Sequence, residues 1–186
     1  MPLDDDQLSV KLVHGLRPGK VTIADYDPAW PGRYERRAAE LRAVLGERAR
    51  LVEHIGSTSV PGLAAKPIID IVLGIDDPDD EPAYLPDLEA VGYDVRVREP
   101  GHRCLRAGEP DEPVNLHCYP PDDVEVRRYL AFRDRLRASD EDRDRYAALK
   151  RELAQREWRD VNYYAEAKRP LIFEILAHAG WTEDSL

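Results

Sequence analysis

The sequence predicts an α+β fold, a small mixed β-sheet with helices followed by a helical C-terminal third. Three observations point there. Two runs rich in Val and Ile, ARLVEHI (49–55) and PIIDIVLGI (67–75), read as core strands. Three later segments, YDVRVR (93–98), HRCLRA (102–107) and EPVNLHCY (112–119), alternate polar and apolar residues between turn residues, as half-buried antiparallel strands do. From residue 122 onward the apolar spacing changes to three and four, the period of a helix.

Residues 1–20 read as an N-terminal extension, whose amphipathic stretch LSVKLVHGL stops at the breaker cluster Arg17-Pro18-Gly19. The α/β core spans 21–121. VTIAD (21–25) is a short β-rich run, and Asp27-Pro28 reads as an N-cap with proline at the first helical position, opening a helix that runs to Gly46. The segment GSTSVPGLAAK (56–66) is the loop between the two core strands. DDPDDEP (76–82) is a solvated acidic loop, and a weak helix follows near 83–91. Residues 122–186 form a helical part packed on the core, broken and capped at Ser139-Asp140. Pro170 makes the last helix kink or start anew, because proline has no N–H to continue the ladder.

The 186 residues carry 27 Lys+Arg against 37 Asp+Glu, a formal charge of −10. That balance argues against a long nucleic acid or an anionic membrane surface as partner, but not against a small phosphorylated ligand. Residues 127–169 are locally basic, with 13 Lys+Arg against 9 Asp+Glu, so the acidic excess lies elsewhere. No apolar run approaches the roughly 18 residues of a membrane span, and the acidic start is unlike a secretory leader, so a cytoplasmic protein is expected. Two cysteines, Cys104 and Cys118, are too few for a disulfide scaffold and are expected to be buried thiols.

Chemistry concentrates between Glu53 and Ile71. Backbone N–H groups freed by Gly56, with the hydroxyls of Ser57, Thr58 and Ser59, suit phosphate oxygens, and Lys66 could neutralise their charge. Asp70, in the next strand, could hold Mg²⁺ against those oxygens. The same residues also suit a tight surface connection followed by a hydrogen-bonded strand end. An acid among Ile68, Ile69, Ile71, Val72 and Leu73 is nonetheless costly unless paired or metal-bound. The run is not a Walker A loop, since Pro61 stands where its second glycine belongs. Asn115 and His117 share one strand face. A hairpin of HRCLRA with EPVNLHCY centred near Asp111 would set Cys104 opposite Cys118 and turn Arg103 to the His117 side. His117 then reads as a ligand, phosphate contact or acid/base, or as a structural strand histidine. On the helices, Arg133 pairs in spacing with Arg137, Tyr146 with Lys150 and Tyr164 with Lys168. Each Tyr-x-x-x-Lys could present a ring and an ammonium together, or form a packing seam.

EHIGSTSVPGLAAKPIIDI (53–71) resembles the signature of the GrpB family, within the nucleotidyltransferase fold superfamily, with related domains fused behind dephospho-CoA kinase. The likeness continues through YDPAW (26–30), NLHCY (115–119), YLAFRDRLRA (129–138), YAALKREL (146–153) and NYYAEAK (162–168). It implies a nucleotidyltransferase-like sheet with a Gly-Ser turn for the triphosphate, matched by Gly56-Ser57, and an acid-x-acid pair binding metals, matched in its first acid by Asp70. Two positions on, this chain has Val72 in place of the second acid. The expectation is a GrpB-family, nucleotidyltransferase-like protein, possible as a Mg²⁺-dependent transferase acting from a nucleoside triphosphate onto a small acceptor. In that reading Asp70 and His117 are catalytic and Asp70 holds the metal. Gly56, Ser57, Thr58, Ser59, Lys66, Arg103, Asn115, Arg133, Lys150 and Lys168 hold the nucleotide. The alternative is a non-catalytic nucleotide or CoA-precursor binding module with a degenerate metal site.

Overall fold

The structure, a computed structural model, describes residues 10–13 and 19–181. In chain order the elements are β1 (Gly19–Lys20), α1 (Trp30–Leu45), β2 (Leu51–Ile55), β3 (Ile69–Gly74), α2 (Leu85–Ala90), β4 (Asp94–Glu99), β5 (His102–Ala107), β6 (Val114–Tyr119), α3 (Val124–Ala138), α4 (Asp140–Ala154), β7 (Glu157–Trp158), α5 (Val161–Ala167) and α6 (Arg169–His178). Five strands form a mixed sheet in the order β2-β3-β6-β5-β4, with β3 and β6 parallel and the other neighbours antiparallel. The predicted α+β class is what is observed. The extension stretch LSVKLVHGL lies partly outside the described residues; Leu12, within them, bridges to Val97. β1 pairs with β7, so a short strand interrupts the C-terminal helices.

The sheet has two unlike faces because side chains alternate along each strand. Ile69, Ile71 and Leu73 of β3 point to one side. There, with Leu105, Leu116 and Cys118, they pack under α1 (Trp30, Ala38, Leu41, Leu45) and α2 (Leu85, Leu88). Full burial of each large side chain here contributes about 1.5 to 3 kcal/mol. Asp70 and Val72 point to the other side, where Val72, Ile55 and Tyr119 pack against Val126 of α3. α4 and α6 then close over the β2–β3 connection, with Val60 and Leu63 buried among Leu136, Tyr146 and Ile175.

Several boundaries differ from expectation for local reasons. α1 begins at Trp30, not Pro28: the Asp27 carboxylate accepts the Ala29 N–H at 2.8 Å, making a capping turn before the helix. β3 starts at Ile69 because Pro67 has no N–H and the Ile68 N–H turns back to the Lys66 carbonyl. Ser139 does end α3 and cap α4, accepting the Asp142 N–H at 3.2 Å. Of the two outcomes foreseen at Pro170, the chain takes the second: α5 stops and α6 starts anew at Arg169, with the proline in its first turn.

The β5–β6 register corrects the predicted hairpin. Ala107 pairs with Val114, so the loop is 108–113 and its centre falls between Pro110 and Asp111. Cys104 therefore stands opposite His117, and Arg103 opposite Cys118. A shift of one residue moves every side chain to the other face. Arg103 points away from His117, at the edge of the α1/α2 core, where it pairs with Asp79 at 2.8 Å and Glu81 at 2.5 Å. Both cysteines are free thiols; Cys118 is buried as expected, while Cys104 is half-exposed.

Candidate functional site

The β2–β3 connection and the face of β3 turned toward α4 build the site. Gly56 ends β2 at φ 68°, a conformation that favours glycine, and a Cβ there would lie 2.5 Å from Asp70 Oδ2. The Gly-Ser turn thus rests directly on the Asp70 carboxylate. Across the sheet, Ile55, Asp70, Asn115 and Arg106 stand in register. Asn115 Nδ2 donates to Asp70 Oδ1 at 2.9 Å and fixes the carboxylate.

The hydroxyls of the turn divide by function. Thr58 and Ser59 are buried and committed to the turn itself: Thr58 donates to the Ile68 carbonyl at 3.1 Å and Ser59 to the Gly56 carbonyl at 2.5 Å. His54 sits behind them, its ring stacked on Tyr34 and its Nε2 3.0 Å from Thr58 Oγ1. Thr58 gives its proton to Ile68, so the His54 Nε2–H donates to Thr58. Burial, with Arg137 and Arg133 nearby, holds the His54 pKa down at about 4, so the ring is neutral. Ser57 remains half-exposed, with Lys150 Nζ 2.8 Å from its Oγ.

Lys150 reaches this point from α4. Its residue is only 2% exposed, and its amine lies against the Ala64 carbonyl as well as Ser57. Burial, with Lys168 and Arg151, lowers its pKa to about 6, while Asp70 opposes the shift. The break before Pro170 places Lys168 at the α5–α6 junction, with Nζ 4.8 Å from the Tyr164 ring centre and 6.0 Å from that of Tyr146. Burial lowers the Lys168 pKa to about 8 against the pull of Asp70. Lys66 is lowered as well, by burial first, with Asp70 opposing and Lys168 and Arg106 adding to it. Burial pushes the Tyr146 phenol up, against the pull of its hydrogen bond with Ser57, so it keeps its proton.

Among the expected residues, Gly56, Ser57, Lys66, Asp70, Asn115, Lys150 and Lys168 converge. Arg133 does not: it binds Glu53 at 2.8 Å and the His54 carbonyl at 3.0 Å, bracing α3 against β2. Arg103 is on the opposite face. His117 lies one step along the strand from Asn115, with its Nδ1 3.4 Å from His102 Nε2, and His102 in turn contacts Glu99 at 2.9 Å. Arg106 is the contributor that sequence reasoning missed. It is exposed and opposite Asn115, and its signal was the hairpin register.

Two divalent ions do not fit these donors. Val72, on the Asp70 face where a second acid would stand, is fully buried, and the residues beside Asp70 and Val72 on the parallel strand β6 are Asn115 and His117, neither of them an acid. Among the described residues no group of three or more His, Cys, Asp or Glu is placed to hold a metal. Instead, Lys66, Lys150 and Lys168 lie within electrostatic reach of Asp70, with Arg106 beyond Asn115 in the same register row and Asp160 at the Lys66 edge, already engaged as the N-cap of α5. Such a surface attracts anions. No helix among the described residues is long and apolar enough to cross a membrane.

Comparison with known proteins agrees with this layout. A family profile described as GrpB protein matches residues 20–178. A UPF0157 protein of Halalkalibacterium halodurans is 49% identical over 97% of this chain and 94% of its own length. The crystal structure of conserved protein GrpB from Enterococcus faecalis superposes with a TM-score of 0.73 at 35% identity, covering 85% of this chain and 96% of that one. A dephospho-CoA kinase of Mycolicibacterium paratuberculosis is 31% identical over 81% of this chain, but this chain spans only 44% of that protein. With the Gly-Ser turn seated on Asp70 and the match running from β1 to the end of α6, the chain belongs to the GrpB family.

Proposed function

We propose that this protein binds a small phosphorylated molecule, a nucleotide or a CoA precursor, at the Gly56-Ser57 turn, and that ammonium groups neutralise its phosphates in place of a metal pair. The observation that carries the reading is the cluster of basic groups around the turn: Lys66 and Lys168 lie within electrostatic reach of Asp70, Arg106 acts on Lys66 from the next strand but one, and Lys150 contacts Ser57 itself. Gly56 allows backbone to approach closely there, and Ser57 offers a half-exposed hydroxyl. An incoming phosphate raises the pKa of Lys168 from about 8, since an anion favours the ammonium form, so binding takes up protons just above neutral pH. The dephospho-CoA kinase relative brings CoA precursors into the set of ligands to try. Nucleotidyl transfer through Mg²⁺, the other reading of the family likeness, lacks its second acid at Val72.

Isothermal calorimetry with ATP, GTP, CTP, UTP and dephospho-CoA tests this, each in EDTA and in Mg²⁺. At least one ligand should bind in EDTA and weaken tenfold or more in Lys168→Ala. Failure of all five to bind the wild-type protein in EDTA refutes the proposal.

A further inference from the structure

Lys150 differs from the other cations of the site. It is sealed by α4 and the β2–β3 connection, and it has no carboxylate partner among the described residues. Its two polar neighbours are unlike: the Ala64 carbonyl can only accept, whereas the Ser57 hydroxyl can donate. An ammonium satisfies both by donating to each, and a neutral amine does so by giving one N–H to Ala64 and taking the Ser57 proton on its lone pair. Burial favours the neutral form, the pKa being lowered to about 6. The Tyr146 phenol holds the hydroxyl from a second direction, and Ser57 itself stays open to solvent at the edge of the cationic cluster. A serine in contact with a buried, unpaired lysine is the arrangement of a nucleophile with its base.

We propose that Ser57 is a nucleophile and Lys150 its general base, and that the site transfers a phosphoryl group from a phosphoric anhydride through a phosphoserine at Ser57. This rests on the phosphate-binding reading above. In the first half, Ser57 Oγ attacks phosphorus and its proton passes to Lys150 Nζ. The Oγ–P bond forms as the anhydride P–O bond breaks, and the electron pair leaves with the departing phosphate. In the second half, water or an acceptor hydroxyl attacks the phosphoserine, the Oγ–P bond breaks, and Lys150 returns the proton to Oγ. The acceptor's own proton passes to solvent. Lys66, Lys168 and Arg106 stabilise charge on the phosphoryl oxygens, the part that metal ions play elsewhere.

A fluorophosphonate probe reads the nucleophile without knowledge of the natural ligand, since Oγ–P formation expels fluoride. The full chain should acquire one adduct, mapped to Ser57 by peptide mass spectrometry, at a rate that rises through about pH 6 and then levels as Lys150 loses its proton. Ser57→Ala should remove it, and Lys150→Met should slow it by about 100-fold, within the usual range for loss of a general base. No adduct on Ser57 in folded wild type, or Lys150→Met labelling at the wild-type rate, overturns the dyad. Should Lys150→Met not fold, a wild-type rate that is flat from pH 5 to 8 overturns it equally. ATP radiolabelled at its γ-phosphorus, or labelled pyrophosphate, in EDTA, should leave acid-stable label on Ser57; label from neither overturns the phosphoryl assignment. Calorimetric binding without any Ser57 adduct sinks this inference alone, whereas absence of calorimetric binding sinks the ligand reading.

Discussion

Replacing Lys150 by methionine removes a buried amine while keeping most of its volume, and pH dependence isolates what the amine does. The ordinary lysine pKa is 10.5, and burial lowers that of Lys150 to about 6. Between these values the unfolded chain holds one proton more than the folded chain, so the lysine's contribution to stability rises with pH. It is least favourable below about 6 and recovers fully above 10.5. At pH 7.5 the remaining cost is about 4 kcal/mol, from about 1.4 kcal/mol for each pH unit. Methionine escapes that cost but gives up contacts with Ser57 and the Ala64 carbonyl, worth about 1 kcal/mol each, and leaves the carbonyl short of a donor, for about 1 to 3 kcal/mol more. The net change at one pH is therefore small and decides nothing. The difference between the two proteins should shift by about 1.4 kcal/mol per pH unit from pH 7 to 9, always in favour of wild type as pH rises. Urea unfolding followed by circular dichroism at several pH values measures it. A difference that stays constant from pH 7 to 9 would refute a neutral buried Lys150, and with it the base assigned to Ser57.

Other positions give sharp expectations. Gly56→Ala forces a Cβ against Asp70 Oδ2 at positive φ and should cost about 2 kcal/mol or more in a thermal melt, partly recovered in Gly56→Ala/Asp70→Gly; no recovery would remove the contact from the explanation. His54, with its pKa held at about 4 against 6.5 unfolded, binds a proton more readily when unfolded. Stability should thus fall as pH drops from 6.5 to 4, and His54→Gln should flatten that slope in urea titrations. Asp70→Asn removes the charge that favours the Lys168 ammonium, so the Lys168 pKa, followed by side-chain NMR, should fall below its value of about 8. In the native protein, thiol titration should reach Cys104 alone, with Cys118 reacting only after denaturation, because Cys118 is fully buried.

Alternation made β4, β5 and β6 legible because each is long enough to alternate, β2 and β3 showed as runs rich in Val and Ile, and the two-residue β1 and β7 are too short to carry a period. The Gly-Ser turn was legible because a glycine with small hydroxyls between two apolar strands has few other uses. Ser139 and Pro170 were readable as local chemistry, since capping and the missing N–H act within one turn. The β5–β6 register was not, because a loop of one residue more or less leaves the composition of both strands unchanged while reversing their faces. Arg103 and Arg106 traded places for that reason alone. Nor could spacing separate Lys150 from Arg133. Both sit on helices among charged neighbours, yet one finds Glu53 and the other finds a hydroxyl, a carbonyl and the Tyr146 ring.

That contrast bears on what the absent second acid means. A carboxylate at Val72 would stand beneath Val126, in a fully buried apolar cluster with Ile55 and Tyr119. A charge placed there would need a counter-ion to offset several kcal/mol of desolvation. The surroundings of Val72 are packed as an apolar core, so the position is not a metal site short of one ligand. The electrostatic work falls one register row away, where Lys66, Lys150 and Lys168 come from separate segments within electrostatic reach of Asp70, with Arg106 in the same register row. Buried lysines need no second acid to hold them: burial brings their pKa values down, and the lone Asp70 carboxylate opposes that shift and favours their charged form. In the proposed phosphate-binding reading, lysines acting in place of metal ions give the site a charge that responds to pH and to the ligand's own phosphate. Lys168, with a pKa near 8, is the residue whose protonation should follow binding most closely.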